Sequence, residues 1–120
     1  MSSKLPNIDW HARARAAAIP AQAFIDGRYV DALSGATFDC ISPVDGRVLS
    51  AVASCQVEDV DRAVVSARRA FDDGRWSQQS PAARKKVLLR FADLLRAHAE
   101  ELALLETLDV GKPITHSLRV

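Results

Sequence analysis

The chain has 120 residues, 48% hydrophobic and 26% charged, with a net charge of +1. That length suits one small domain, and that composition excludes a wholly disordered chain. A charge so close to zero supplies no long-range field for nucleic acid, membrane or acidic partners. The basic cluster Arg84, Lys85, Lys86 and Arg90 has no aromatic support and reads as a solvated helix face.

Residues 1–6 lack the apolar core of a signal peptide, and no apolar run approaches the ~20 residues of a membrane span. Cys40 and Cys55 form no CxxC or metal-ligand spacing. A cytoplasmic protein with reduced thiols is the expectation. Asp9 is placed to cap a short helix over residues 10–18, which Pro20 stops. Its apolar surface amounts to little beyond Trp10 and Ile19, as for a helix lying on a larger body. Asp26-Gly27, between Phe24-Ile25 and Arg28-Tyr29-Val30, signals a hairpin with a tight primed turn, because both positions tolerate positive φ. Ser34-Gly35 is another turn. Residues 37–41 and 48–53 read as further strands around the turn Pro43-Val44-Asp45-Gly46. Short strands with tight turns predict a three-strand antiparallel meander.

From Glu58 the period changes. Val60, Ala63, Val64, Ala67 and Phe71 mark one face of a helix that ends at Gly74. Glu58, Asp59 and Asp61 sit in its first turn, where the dipole favours them, and Val57 is a poor cap. Ser80-Pro81 starts a second helix. Val87, Leu88, Phe91, Leu94, Leu95, Leu102, Leu105 and Leu108 carry its stripe to Asp109. That span exceeds the ~8–20 residues of ordinary helices, so a break is expected at residues 96–99. Gly111 supplies a C-terminus, Pro113 forbids resumption, and residues 115–120 begin another element. The helices carry more apolar surface than the small sheet can cover, so they expect another body or the rest of a larger domain.

The residues show no active site. Neither cysteine has a histidine or lysine nearby in sequence to lower its pKa, so both read as packing thiols, with the helix start near Cys55 a mild argument for reactivity. His11, His98 and His116 share no metal-ligand spacing. Glu106 and Asp109 lie on one helix face, with no sign of a substrate pocket. Gly27, Gly35, Gly46, Gly74 and Gly111 are isolated turn or cap glycines, and both GxGxxG and GxxxxGK[ST] are absent.

Residues 106–113, ETLDVGKP, resemble a signature of the NAD(P)-dependent aldehyde dehydrogenases. Further pieces match in order. They are Phe24-Ile25-Asp26-Gly27, Ser34-Gly35-Ala36-Thr37-Phe38, Ser42-Pro43, residues 58–64 (EDVDRAV), Trp76, Pro81 with Arg84, and Glu101-Leu102-Ala103. Within the family, the Trp10 extension and residues 100–119 look most like the γ-glutamyl-γ-aminobutyraldehyde dehydrogenases of putrescine breakdown. The resemblance implies an α/β fold, with a short antiparallel meander and amphipathic helices forming part of a nucleotide-binding domain. It divides the chain into an N-terminal helical extension, residues 1–22, and the N-terminal part of the enzyme domain, residues 23–120.

It also implies oxidation of an aldehyde to an acid through a cysteine, with hydride passed to NAD or NADP, in a homo-oligomer that binds neither nucleic acid nor membrane. The family's catalytic and cofactor-binding residues lie beyond this segment, so none is assigned here, and the chain alone is expected to be silent. The rival expectation is a truncated non-catalytic product or a helical interaction fragment. One family site does reach these residues: a structural monovalent cation, potassium or sodium, held by the backbone carbonyls of Cys40 and Ile41 and by Asp109. A carboxylate at a helix C-terminus suits a hard cation. The competing expectation is that Lys112 or an arginine neutralises Asp109. The family often has asparagine before the proline at the strand end, where Ser42 stands here.

Overall fold

The computed structural model describes residues 8–119. The segments of the N- and C-terminal expectations at residues 1–7 and 120 lie outside the described residues. Helix α1 spans Trp10–Ala16, and Asp9 caps it by accepting from the Ala12 amide at 2.9 Å. It ends two residues short of the expected boundary, where Ala17 is already extended.

Strands β1 (Ala23–Ile25) and β2 (Arg28–Val30) form the expected hairpin. Asp26 and Gly27 both have positive φ, 54° and 77°, as a primed turn requires. Phe24 and Tyr29 face each other across the ladder with ring centroids 5.2 Å apart, edge to face. Strands β3 (Thr37–Ile41) and β4 (Val48–Ala53) form a second antiparallel hairpin. The short antiparallel strands are as expected, but they are divided between two two-stranded sheets instead of one meander. The cause lies in the connection after β2. Ala32 is buried there, and the Leu33 amide donates to Asp59 at 3.0 Å, which turns the chain toward a helix and away from the ladder.

Helix α2 (Val57–Asp72) begins one residue before the expected start. Its start is firm. The buried Asp59 carboxylate reaches back to accept from the Gln56 amide at 3.1 Å, satisfying a donor the helix itself cannot. Helix α3 (Pro81–Ala97) opens with Ser80 accepting from the Ala83 amide at 3.2 Å. The break falls in the expected interval, at His98, and α4 (Ala99–Val110) follows. Gly111 closes α4 in the left-handed region, at φ 73°. The short helix α5 (Ile114–Ser117) folds back on α4, with the Thr107 and Ser117 hydroxyls 3.1 Å apart.

The core is small: Ala32, Ala103 and Leu104 are its buried apolar residues. The accessible surface is 9237 Å², against about 6,400 Å² for a compact chain of this mass. The radius of gyration is 18.2 Å, against about 14 Å for a compact domain of this length. The difference lies in open helix faces, with Val64 60%, Phe71 61% and Phe91 57% exposed. Among the described residues, no helix is long and apolar enough to cross a membrane.

Candidate functional site

The end of α4 meets the end of β3. The Cys40 thiol donates to Asp109 Oδ1 at 3.6 Å, within reach of a sulfur donor. Beside this contact, Gly111 lies so close to the β3–β4 turn that an added Cβ would stand 3.1 Å from Pro43 Cγ. Three local features build the corner. The first is the αL ending of α4, which brings its last carbonyls and Asp109 to the surface of the helix end. The second is a register shift between Cys40 and Ile41, which breaks the regular ladder there. The third is the Ser42 turn. Its hydroxyl accepts from the Val44 amide at 3.2 Å and its carbonyl from the Gly46 amide at 2.9 Å, so serine completes a turn where the family often carries asparagine.

A groove of about 370 Å³ opens at this corner. Cys40, Ser50, Glu106 and Asp109 give it polar edges, and Ile19 and Pro20 form one apolar wall. Ser50 sits opposite Cys40 in the ladder, and its buried hydroxyl has no hydrogen-bond partner.

The electrostatics favour a cation at Asp109. Lys112 does not neutralise it, because its ammonium pairs with Glu106 at 3.0 Å. Among the described residues Asp109 has no ion-pair partner. Partial burial, the hydrogen bond to Asp109 and the carboxylate's charge push the Cys40 thiol above its ordinary range. The sulfur therefore stays protonated at neutral pH, a donor to Asp109 and not a thiolate ligand. The described residues contain no group of three or more histidine, cysteine, aspartate or glutamate side chains able to hold a metal. One carboxylate with backbone carbonyls is an oxygen set for a weakly held hard cation and a poor set for zinc or copper.

The structure thus brings Cys40 and Asp109 together across the chain, with Ile41 the next residue of β3, beyond the register shift. Cys55, on the loop before α2, is exposed and stands apart from this contact. The glycines are turn or cap residues as read from the sequence, each with positive φ. The sequence marks Asp59 only as a favourable first-turn charge, whereas in the fold it accepts from the Leu33 and Gln56 amides.

A sequence profile of the aldehyde dehydrogenase family matches residues 29–119. The chain belongs to the aldehyde dehydrogenase family. It is 50% identical over 114 residues to aminoacetaldehyde dehydrogenase of Pseudomonas aeruginosa, covering 95% of this chain and 23% of that protein. It superposes on γ-glutamyl-γ-aminobutyraldehyde dehydrogenase of Burkholderia cenocepacia with a TM-score of 0.92 and 56% identity, over 93% of this chain and 23% of that one. The indole-3-acetaldehyde dehydrogenase of P. syringae, solved with NAD+, matches with a TM-score of 0.91 and 62% identity, over 93% and 23% of the two chains. The chain thus spans about a quarter of the length of these relatives.

Proposed function

We propose that this chain is the N-terminal part of an enzyme that oxidises an aldehyde to a carboxylic acid with NAD+ or NADP+, and that its own contribution is structural. Residues 1–22 are an extension, and residues 23–120 begin the enzyme domain. In that role Asp109 and the carbonyls of Cys40 and Ile41 hold a potassium or sodium ion that fixes the end of α4 to the end of β3. The observation that carries this reading is the family match over residues 29–119. It is supported by the meeting of Cys40 and Asp109, which leaves an un-neutralised carboxylate at a helix C-terminus.

Chemistry belongs to other residues of the longer polypeptide, which form the cysteine, cofactor and aldehyde sites and cover the open faces of α2 and α3. The assembled enzyme is a cytoplasmic homo-oligomer. The relatives named above carry the names of different aldehydes, and their identities to this segment run from 50% to 62%. Aldehyde choice is assigned to the rest of the enzyme, and γ-glutamyl-γ-aminobutyraldehyde is the first substrate to try, on the superposition with that dehydrogenase.

The test is NADH or NADPH formation with a panel of aldehydes, using the full-length protein and the 120-residue chain separately. Turnover by the full-length protein alone is expected. Activity in the 120-residue chain that disappears in Cys40→Ala or Cys55→Ala would overturn the reading.

A further inference from the structure

We propose that the segment from α1 to β1 is a strap that positions the Asp109 corner, with Arg13 anchoring it to Glu100 and with Ile19 and Pro20 walling the groove where Cys40 and Asp109 meet. The strap is held at both ends. At one end Arg13 Nη1 lies 2.6 Å from Glu100 Oε2, joining α1 to the first turn of α4. The Arg13 guanidinium also lies over the Trp10 ring, 5.5 Å from its centroid, which restricts the side chain before the ion pair forms. At the other end the Ala53 amide donates to the Ala21 carbonyl at 2.7 Å, fixing the strap to the end of β4.

Between these anchors Ala16, Ala17 and Ala18 lie beside Leu104 and Leu105 in a shallow cleft, where small side chains permit close approach. Ile19 and Pro20 then reach the groove of Cys40, Ser50 and Asp109. Charge agrees with this placement, since α1 carries Arg13 and Arg15 while the first turn of α4 carries Glu100 and Glu101. An isolated helix as short as α1 does not persist in water, so its order depends on docking. Glu100 and Asp109 stand about 14 Å apart along one helix. The strap therefore grips the element that carries the corner's carboxylate. Its consequence for cation binding rests on the function proposed above, whereas the shielding of Cys40 does not.

The experiment follows alkylation of Cys40 by iodoacetamide in the full-length protein, resolved by peptide mass spectrometry, with and without potassium. Arg13→Glu and Glu100→Arg each place like charges together and should speed alkylation about twofold to fivefold, the range of one exposed ion pair. The double variant, which swaps the charges, should restore the slow rate. Both side chains are exposed, and the double variant serves as the control for the fold. Wild-type rates in both single variants, or no restoration in the double variant, would overturn the strap. The potassium arm keeps the two readings apart. A saturable, potassium-specific change in the wild-type rate supports the cation, and a charge-swap effect indifferent to potassium supports the strap while telling against the cation.

Discussion

The Cys40 thiol and the Asp109 carboxylate meet at 3.6 Å although 69 positions separate them in sequence. The contact joins the last turn of α4 to the end of β3 at the point where the strand register slips. Lys112, the nearest cation in sequence, is engaged elsewhere, on Glu106. A carboxylate left against the negative end of a helix dipole costs stability until a cation arrives. The thiol donates to the carboxylate, which has no ion-pair partner among the described residues, and the proposed cation would supply that missing charge.

Asp59 is the polar residue whose loss should be felt most. It is 2% exposed and accepts from the Leu33 amide at 3.0 Å and the Gln56 amide at 3.1 Å, with Arg62 3.7 Å away. Asp59→Ala removes a helix cap and strands two amides, a loss of about 2–3 kcal/mol. Asp59→Asn keeps an acceptor and should lose less. Denaturant melts of the full-length protein and the two variants read the difference.

Gly111 and Gly46 share a φ of 73°, so alanine strains both backbones alike. At Gly46 an added Cβ meets open space, whereas at Gly111 it stands 3.1 Å from Pro43 Cγ. Gly46→Ala should cost about 1–2 kcal/mol from conformation alone. Gly111→Ala should cost more, because the α4 end must also move off the β3–β4 turn. Equal losses in thermal melts would show that this close approach does not matter.

Asp26 ties the first hairpin to α2. Its Oδ1 accepts from Arg69 Nη2 at 2.7 Å and from the Ser66 hydroxyl at 3.1 Å. These bonds, the Arg69 bond foremost, hold its carboxyl below the ordinary value of 3.8. A lowered folded-state pKa means the unfolded chain binds the proton first as pH falls. The contribution is therefore complete above the ordinary value and lost as pH drops through the lower folded one. Asp26→Asn should be less stable than the parent at pH 6, and the gap should close in acid. Urea midpoints measured between pH 6 and pH 2 test the sign.

Local chemistry made most of the elements legible. Asp9 and Ser80 are ordinary caps, Asp26-Gly27 demands its turn, and Gly111 with Pro113 can only end a helix. The break at His98 followed from length, since a helix running unbroken from Pro81 to Val110 would be unusually long. Pairs distant in sequence were not legible. Nothing near Arg13 announces Glu100, and nothing near Leu33 announces Asp59. Those two contacts dock α1 and draw the chain out of a single meander. The capping role of Asp59 left a faint trace, because Gln56 and Asp59 have the spacing of a capping box in unusual residue types. The corner itself could be placed only through the family signature at residues 106–113, because the pairing of Cys40 with Asp109 exists only in the folded chain.

The decisive measurement is the melting temperature of the full-length protein and of Asp109→Asn, titrated with potassium chloride against a bulky organic cation at equal ionic strength. Potassium should raise the melting temperature of the parent and saturate. At ten times its dissociation constant the gain corresponds to about 1.4 kcal/mol. Asp109→Asn should melt lower in potassium, show little response to it, and approach the parent when potassium is removed from both. Hydride transfer per folded active site should be nearly unchanged. An identical potassium response in both proteins, or an Asp109→Asn variant of full stability that has lost hydride transfer, would contradict the structural cation site.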